Sequence, residues 1–382
     1  MKRTLIFLIA FVLTLSGCKG WQGKKEANLR EKIIGVWISY SELDKMLLSG
    51  DFKGEFNNLT ENLKTLNITD AFVHVRPFSD SLYKSQYYPL RQTVREYDFD
   101  VLEYMIDTLH SSNIKFHAWL NPYRIKQGST DISDMDNTSV IYKWIEEKSE
   151  NIGFSNGIYL NPSSSEAVRL ITDGIKEITD TYDIDGIHFD DYFYPTSNAE
   201  FDKKSYSLYS SEAEEPLELG DWRRLNVNSF ISLVGSILKN KNIIFSISPA
   251  ASISKNYENL YADITYWSEN NYADYIMPQL YFGFDYPDKN YQFEKLLDDW
   301  INLFDKSESK LIIGLAPYKI GIDTEAESEE WARGDIIAKQ TEISLEKTDG
   351  VCYFSYSSLF GNSPLKISER ENLTEYFNKS KA

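Results

Sequence analysis

Cysteine is almost missing: only Cys18 and Cys352 occur in 382 residues. Only Cys352 remains after Cys18, so no disulfide can form inside the mature domain, and core packing must supply its stability. Cys352 sits in an apolar run and reads as a small buried hydrophobe. Basic charge is in deficit, with 40 Lys and Arg against 58 Asp and Glu and a net charge of −18. That balance repels phosphate backbones and anionic lipid and excludes nucleic acid as a partner. After the leader no apolar run is long enough to cross a bilayer. No Ser-His-Asp set, phosphate loop or dinucleotide fingerprint occurs in the right context, and no cofactor is expected.

The leader itself is informative. Met1-Lys2-Arg3 precedes an apolar run from Leu5 to Leu15, which is the pattern of a secretory signal and too short for a membrane span. Leu15-Ser16-Gly17-Cys18 looks like a bacterial lipobox, which implies cleavage before Cys18 and lipid attached to it. The expected organisation is a signal peptide over 1–17, a polar tether over 18–30, one catalytic domain over 31–378 and a short tail over 379–382. The mature protein is expected outside the cytoplasm, as a monomer held to a membrane by its N-terminal lipid alone. Aromatic residues are abundant at 14%, with 26 Tyr and eight Trp. Flat rings at this density suit a sugar-binding groove, and core packing uses them too.

From Ile33 onward one unit recurs: a short β-rich run with a polar or aromatic end, a loop, then an amphipathic helix. The predicted strands begin at Ile33, Ile68, Ile114, Asp185, Ile243, Tyr275, Leu311 and Val351. Eight such units argue for a single (β/α)8 TIM barrel, with long loops after strands 3 and 4. A doubly wound sheet would leave unexplained why function-like residues sit at the C-terminal end of nearly every strand. In the barrel those ends form the mouth.

The chain is organised around Asp185-Gly186-Ile187-His188-Phe189-Asp190-Asp191-Tyr192-Phe193-Tyr194-Pro195. Strand periodicity sets His188 and Asp190 on one face, and Asp191 follows where the strand opens into a loop. Two close carboxylates cannot both ionise easily, which suits a general acid beside a charged stabiliser. Other strand ends add Trp37, Tyr40, Arg76, Asn121, Tyr123, Arg124, Pro249, Gln279, Tyr281, Tyr318 and Tyr356. Trp37, Tyr123, Tyr281 and Tyr318 either stack on sugars or line the barrel. Asn121 either hydrogen-bonds hydroxyls or forms a turn with Pro122. Arg76, Arg124 and Arg223 either bind an acidic substrate or neutralise the acid pair. His74, His117 and His188 share inward parity and could hold zinc. Their depth below the other polar positions favours a supporting role, so no metal is assigned.

The central motif, with Asp221-Trp222-Arg223-Arg224-Leu225-Asn226-Val227-Asn228, resembles the glycosyl hydrolase-like 10 family. Val75-Arg76-Pro77, Trp119 to Arg124, Leu160-Asn161-Pro162 and Met277-Pro278-Gln279-Leu280-Tyr281 extend the resemblance over nearly all of 33–360. It implies a barrel glycoside hydrolase of the bacterial envelope, acting on peptidoglycan strands, especially those stripped of stem peptides. The adjacent acids are similar to those of hexosaminidases that use the substrate's 2-acetamido group as nucleophile. By that similarity Asp190 orients the acetamido group and Asp191 is the acid, with the roles open to exchange. Met277, Gln279 and Tyr281 resemble the strand of chitinase-like barrels that touches the same group. The expected substrate-binding set is Trp37, Arg76, Asn121, Tyr123, Arg124, His188, Arg223, Gln279, Tyr281, Tyr318 and Tyr356. An inverting mechanism through a distant Asp285 or Glu269, a different polysaccharide, and a binding barrel without catalysis are the alternatives.

Overall fold

The computed structural model describes residues 31–191, 193–322 and 328–379. The expected signal peptide and tether, with Cys18, lie outside them. Eight parallel strands close into a ring: Ile33–Ile38 (β1), Asp70–Arg76 (β2), Lys115–Leu120 (β3), Gly186–Phe189 (β4), Ile244–Ile247 (β5), Tyr275–Ile276 (β6), Lys310–Leu315 (β7) and Gly350–Phe354 (β8). Each strand pairs with its sequence neighbours, and β8 closes on β1 with Ile33 opposite Gly350. The (β/α)8 barrel read from the sequence is therefore present.

Period-two alternation divides the apolar residues into two layers. Outward residues such as Val36, Ile38, Val73, Phe116 and Ile187 pack under the helices in one large core. Inward residues form a second, smaller core of Trp37, Phe72, Trp119, Tyr275, Met277, Ile312 and Cys352. Two polar side chains deep inside the barrel pair with each other. His117 Nε2 meets Asp70 Oδ1 at 2.8 Å, both fully buried. Burial pushes the Asp70 carboxyl up, but the His117 contact outweighs it and holds the group below its ordinary value. Gly186 makes room for this pair. A Cβ there would lie 2.2 Å from His117 Nδ1 and 3.0 Å from the Ile244 carbonyl.

Several elements depart from the strand-and-helix reading. The first strand stops at Ile38, because Ser39 and Glu42 form a capping box that starts helix Tyr40–Leu48. Regular pairing of β6 is two residues long, interrupted by Pro278, and resumes as single bridges from Gln279 to Ala250 and Gly314. The excursion after β3 carries its own antiparallel sheet of Arg124–Gln127, Gly157–Leu160 and Ile152–Phe154. The loop after β4 contains helix Lys203–Glu212. Helix Pro364–Lys379 packs Leu373 and Phe377 into the outer core at the C-terminal end of the domain.

Gly186→Ala should lower unfolding stability by about 1–3 kcal/mol, because His117 cannot retreat without leaving Asp70. Urea titration measures this, and an unchanged midpoint would mean the interior has slack at that level.

Candidate active site

Loops at the C-terminal ends of the strands surround a cavity of about 510 Å³. This size lies within the range of small-ligand sites. Its inner surface is aromatic. Phe354, at the end of β8, is the hub: Trp37, Tyr281 and Tyr318 lie 6.0–6.1 Å from it between ring centroids, and Trp119 lies at 6.5 Å. Such a nest presents flat faces to sugar rings.

Asp190 and Asp191 stand on the wall where β4 ends. Asp190 is buried, and Asn121 Nδ2 donates to both of its carboxylate oxygens at 3.0 Å. Asn121 follows the last residue of β3, so β3–β4 pairing fixes that contact. Asp191 keeps part of its surface open to the cavity but is otherwise packed in protein. Burial pushes its carboxyl above the ordinary 3.8, against the pull of Lys255, Gln279 and Arg124 toward the charged form. Gln279 Nε2 donates to the carbonyl and hydroxyl of Ser248, each at 3.1 Å, bracing its own place in the cavity wall.

His188 supports this floor from below. Trp37 Nε1 donates to His188 Nε2 at 2.9 Å, so the ring proton sits on Nδ1, facing Ser246 Oγ at 2.8 Å. Burial and the neighbouring His117 depress the His188 pKa far below the ordinary histidine value, which fits this neutral ring. The three histidines do not converge. His117 is committed to Asp70, His188 to Trp37 and Ser246, and His74 stacks on Trp119 at 3.7 Å. Among the described residues no group of three or more His, Cys, Asp or Glu side chains is placed to hold a metal.

Of the expected substrate-binding set, Trp37, Arg124, Gln279, Tyr281 and Tyr318 line the cavity with the two acids. Asn121 and His188 lie one layer behind it, each gripping a residue that does. The remaining four are placed elsewhere. Arg76 is buried over the Tyr88 ring at 4.2 Å, beyond a register shift in β2 that re-aims it. Tyr123 packs on Phe230 in the outer core. Arg223 is fully buried in a two-point contact with Asp202 at 2.9 and 2.6 Å, and also holds the carbonyl of Asn198 and the Tyr261 hydroxyl. It clamps the loop after β4 rather than a substrate. The Tyr356 hydroxyl accepts from Asn62 outside the cavity. Asp285 and Glu269 do not line it either; Glu269 ends the helix leading into the N-terminal end of β6.

The third carboxylate in the cavity wall is Glu42, on the helix that follows β1. Its oxygens accept four hydrogen bonds, from the Ser39 amide and hydroxyl (2.6 and 2.7 Å) and from Ser355 Oγ and the Ser357 amide (2.8 and 2.6 Å). Ser39-Tyr40-Ser41-Glu42 carries the capping-box spacing, so a sequence signal for it exists.

Two carboxylates in different environments, on the C-terminal face of a barrel and over a floor of aromatic rings, are the arrangement that a glycoside hydrolase uses. The comparisons place it more closely. The family described as "Glycosyl hydrolase-like 10" matches residues 32–333. Glycosyl hydrolase YngK of Bacillus subtilis is 31% identical over 405 aligned residues, covering 96% of this chain and 75% of that protein. Glycosyl hydrolase DigH of Escherichia coli is 26% identical, covering 83% and 77%. The chain belongs to the glycosyl hydrolase-like 10 family. In fold it is similar to the PgaB (BpsB) glycoside hydrolase domain from Bordetella bronchiseptica, with TM-score 0.59, 11% identity and coverage of 90% and 98%. The catalytic domain of β-amylase from Paenibacillus polymyxa has TM-score 0.57 at 10% identity, with coverage of 92% and 99%.

Asn121→Ala should remove the two-point hold on Asp190 and lower kcat by roughly 100-fold with a smaller change in KM, as expected for loss of positioning. Steady-state kinetics on any cleaved glycan reads this. A pure KM effect would mean that Asn121 contacts substrate instead.

Proposed function

We propose that the protein cleaves bacterial cell-wall glycan between N-acetylated sugars, with peptidoglycan strands lacking stem peptides as its substrate. The observation that carries this reading is the asymmetry of the acid pair. Asp190 is anchored through both oxygens, whereas Asp191 faces the cavity with a raised pKa. A fixed carboxylate suits orienting and steadying a 2-acetamido group as it attacks the anomeric carbon. A neighbour whose pKa is raised by burial suits donating a proton to the departing glycosidic oxygen. Glu42 is the remaining acid in the described cavity wall, and all four of its acceptor sites are filled. It is therefore unsuited to activating water, which favours substrate assistance over inversion.

The sign of the pH dependence follows. Asp191 must be protonated to act, so kcat/KM should fall as pH rises through its raised pKa. In Asp191→Asn that limb should disappear together with most of the activity.

The resemblance to a lipobox in the leader supports anchoring through Cys18, outside the cytoplasm. Cys18→Ala should move the protein from membrane to soluble fractions, and an unchanged distribution would remove the anchor from this account.

The substrate is tested by incubating the protein, Asp190→Asn and Asp191→Asn with intact peptidoglycan and with amidase-stripped strands, and reading reducing-end products by mass spectrometry. Cleavage of stripped strands, abolished in both variants, is expected. Cleavage that survives both changes would move the acid elsewhere. Inactivity on strands with cleavage of another polysaccharide would reassign the substrate.

A further inference from the structure

Peptidoglycan strands carry a lactyl carboxylate on every second sugar. A mouth that holds Asp190 and Asp191 must keep that charge away from them. Two of the three arginines best suited to the task by sequence are placed elsewhere. Arg223 is consumed by Asp202, and Arg76 lies buried behind Tyr88. Arg124 reaches the cavity, but its Nε is bound to the Pro77 carbonyl at 3.0 Å and its NH1 to Gln127 at 3.3 Å.

The opposite wall is different. Ser41, Glu42, Lys45, Ser355 and Ser357 line it, contributed by the chain after β1 and β8, three and four positions round the ring from β4. Glu42, locked by four donors, ties the two segments into one rigid surface. Lys45 is exposed on the last turn of helix Tyr40–Leu48 and faces the same cavity. The carboxylates nearest to it in sequence are already engaged: Glu42 as described, and Asp44 by Arg91 at 2.6 Å and Thr93 at 3.0 Å. Among the described residues Lys45 has no ion-pair partner. In a chain of net charge −18, a lysine without a carboxylate, on a wall of serines and across the cavity from the acids, is set up to meet an anion.

We infer that the Lys45 wall is the subsite for the carboxylate-bearing sugar, and that Lys45 selects acidic strands over neutral ones. This rests on the cell-wall reading above. It also fixes polarity across the mouth: the acidic sugar lies toward β1 and β8, and the bond to be broken lies toward β4.

The test compares stripped strands with the same strands after their lactyl carboxylates have been converted to neutral methylamides. The wild-type protein should prefer the native strands in kcat/KM. In Lys45→Ala that preference should shrink roughly fivefold, the reach of an exposed ion pair, while Lys45→Arg should keep it. A preference unchanged in Lys45→Ala, or absent from the wild type, would overturn the assignment while leaving the cell-wall reading intact. If the wild type cleaves neither strand, the cell-wall reading falls and takes this inference with it.

Discussion

Asn121 and Asp190 meet at the ends of adjacent strands, and the mouth of the barrel takes its geometry from that contact. One amide nitrogen donates to both carboxylate oxygens at 3.0 Å inside a buried environment. A buried carboxylate without such donors would cost several kcal/mol and would shift toward its neutral form. With them it stays in place, and its neighbour Asp191, one residue on, is left to point into the cavity. The two identical side chains thus acquire different environments from a single register, that of β3 on β4. One barrel end thereby carries two carboxylates of different character on a dipeptide, as the proposed division into orienting group and acid requires.

The interior beneath the pair is built to keep this register from drifting. His188 takes a hydrogen bond from Trp37 across the barrel and faces Ser246 on the next strand, so β1, β4 and β5 are linked below the acids. Asp70 and His117 do the same for β2 and β3 one layer deeper. These buried polar pairs cost desolvation, and their partners offset it only in one arrangement. Specificity of geometry, more than added stability, is what they supply. The aromatic nest around Phe354 then sets the floor on which a sugar ring can rest.

Much of this was legible in the sequence. Eight apolar runs with polar ends announced the barrel, and the paired aspartates announced two residues that line its mouth. Three kinds of feature were not. Strands as short as Ile152–Phe154 and Gly157–Leu160 give too few residues for a period to register, so the small sheet was hidden in a loop. The direction of a long side chain is decided by distant partners. Arg223 is drawn to Asp202 and Arg76 is re-aimed by a bulge, and neither event leaves a trace in local pattern. Glu42 had its signal, the Ser39 capping box, but the apolar run before it reads equally as a strand continuing to Tyr40. Lys45 was overlooked with it, because a lysine on an amphipathic helix carries no mark of what it faces.

Burial sets the two aspartates apart: Asp190 is held through both oxygens by Asn121, and the Asp191 carboxyl is pushed above its ordinary value. Carboxyl-carbon NMR titration of selectively labelled protein, with Asp191→Asn to assign the signals, tests it most directly. The Asp191 resonance should titrate clearly above the ordinary carboxyl value of 3.8. A midpoint at or below that value would leave no acid form at working pH, and the division of labour described here would be wrong.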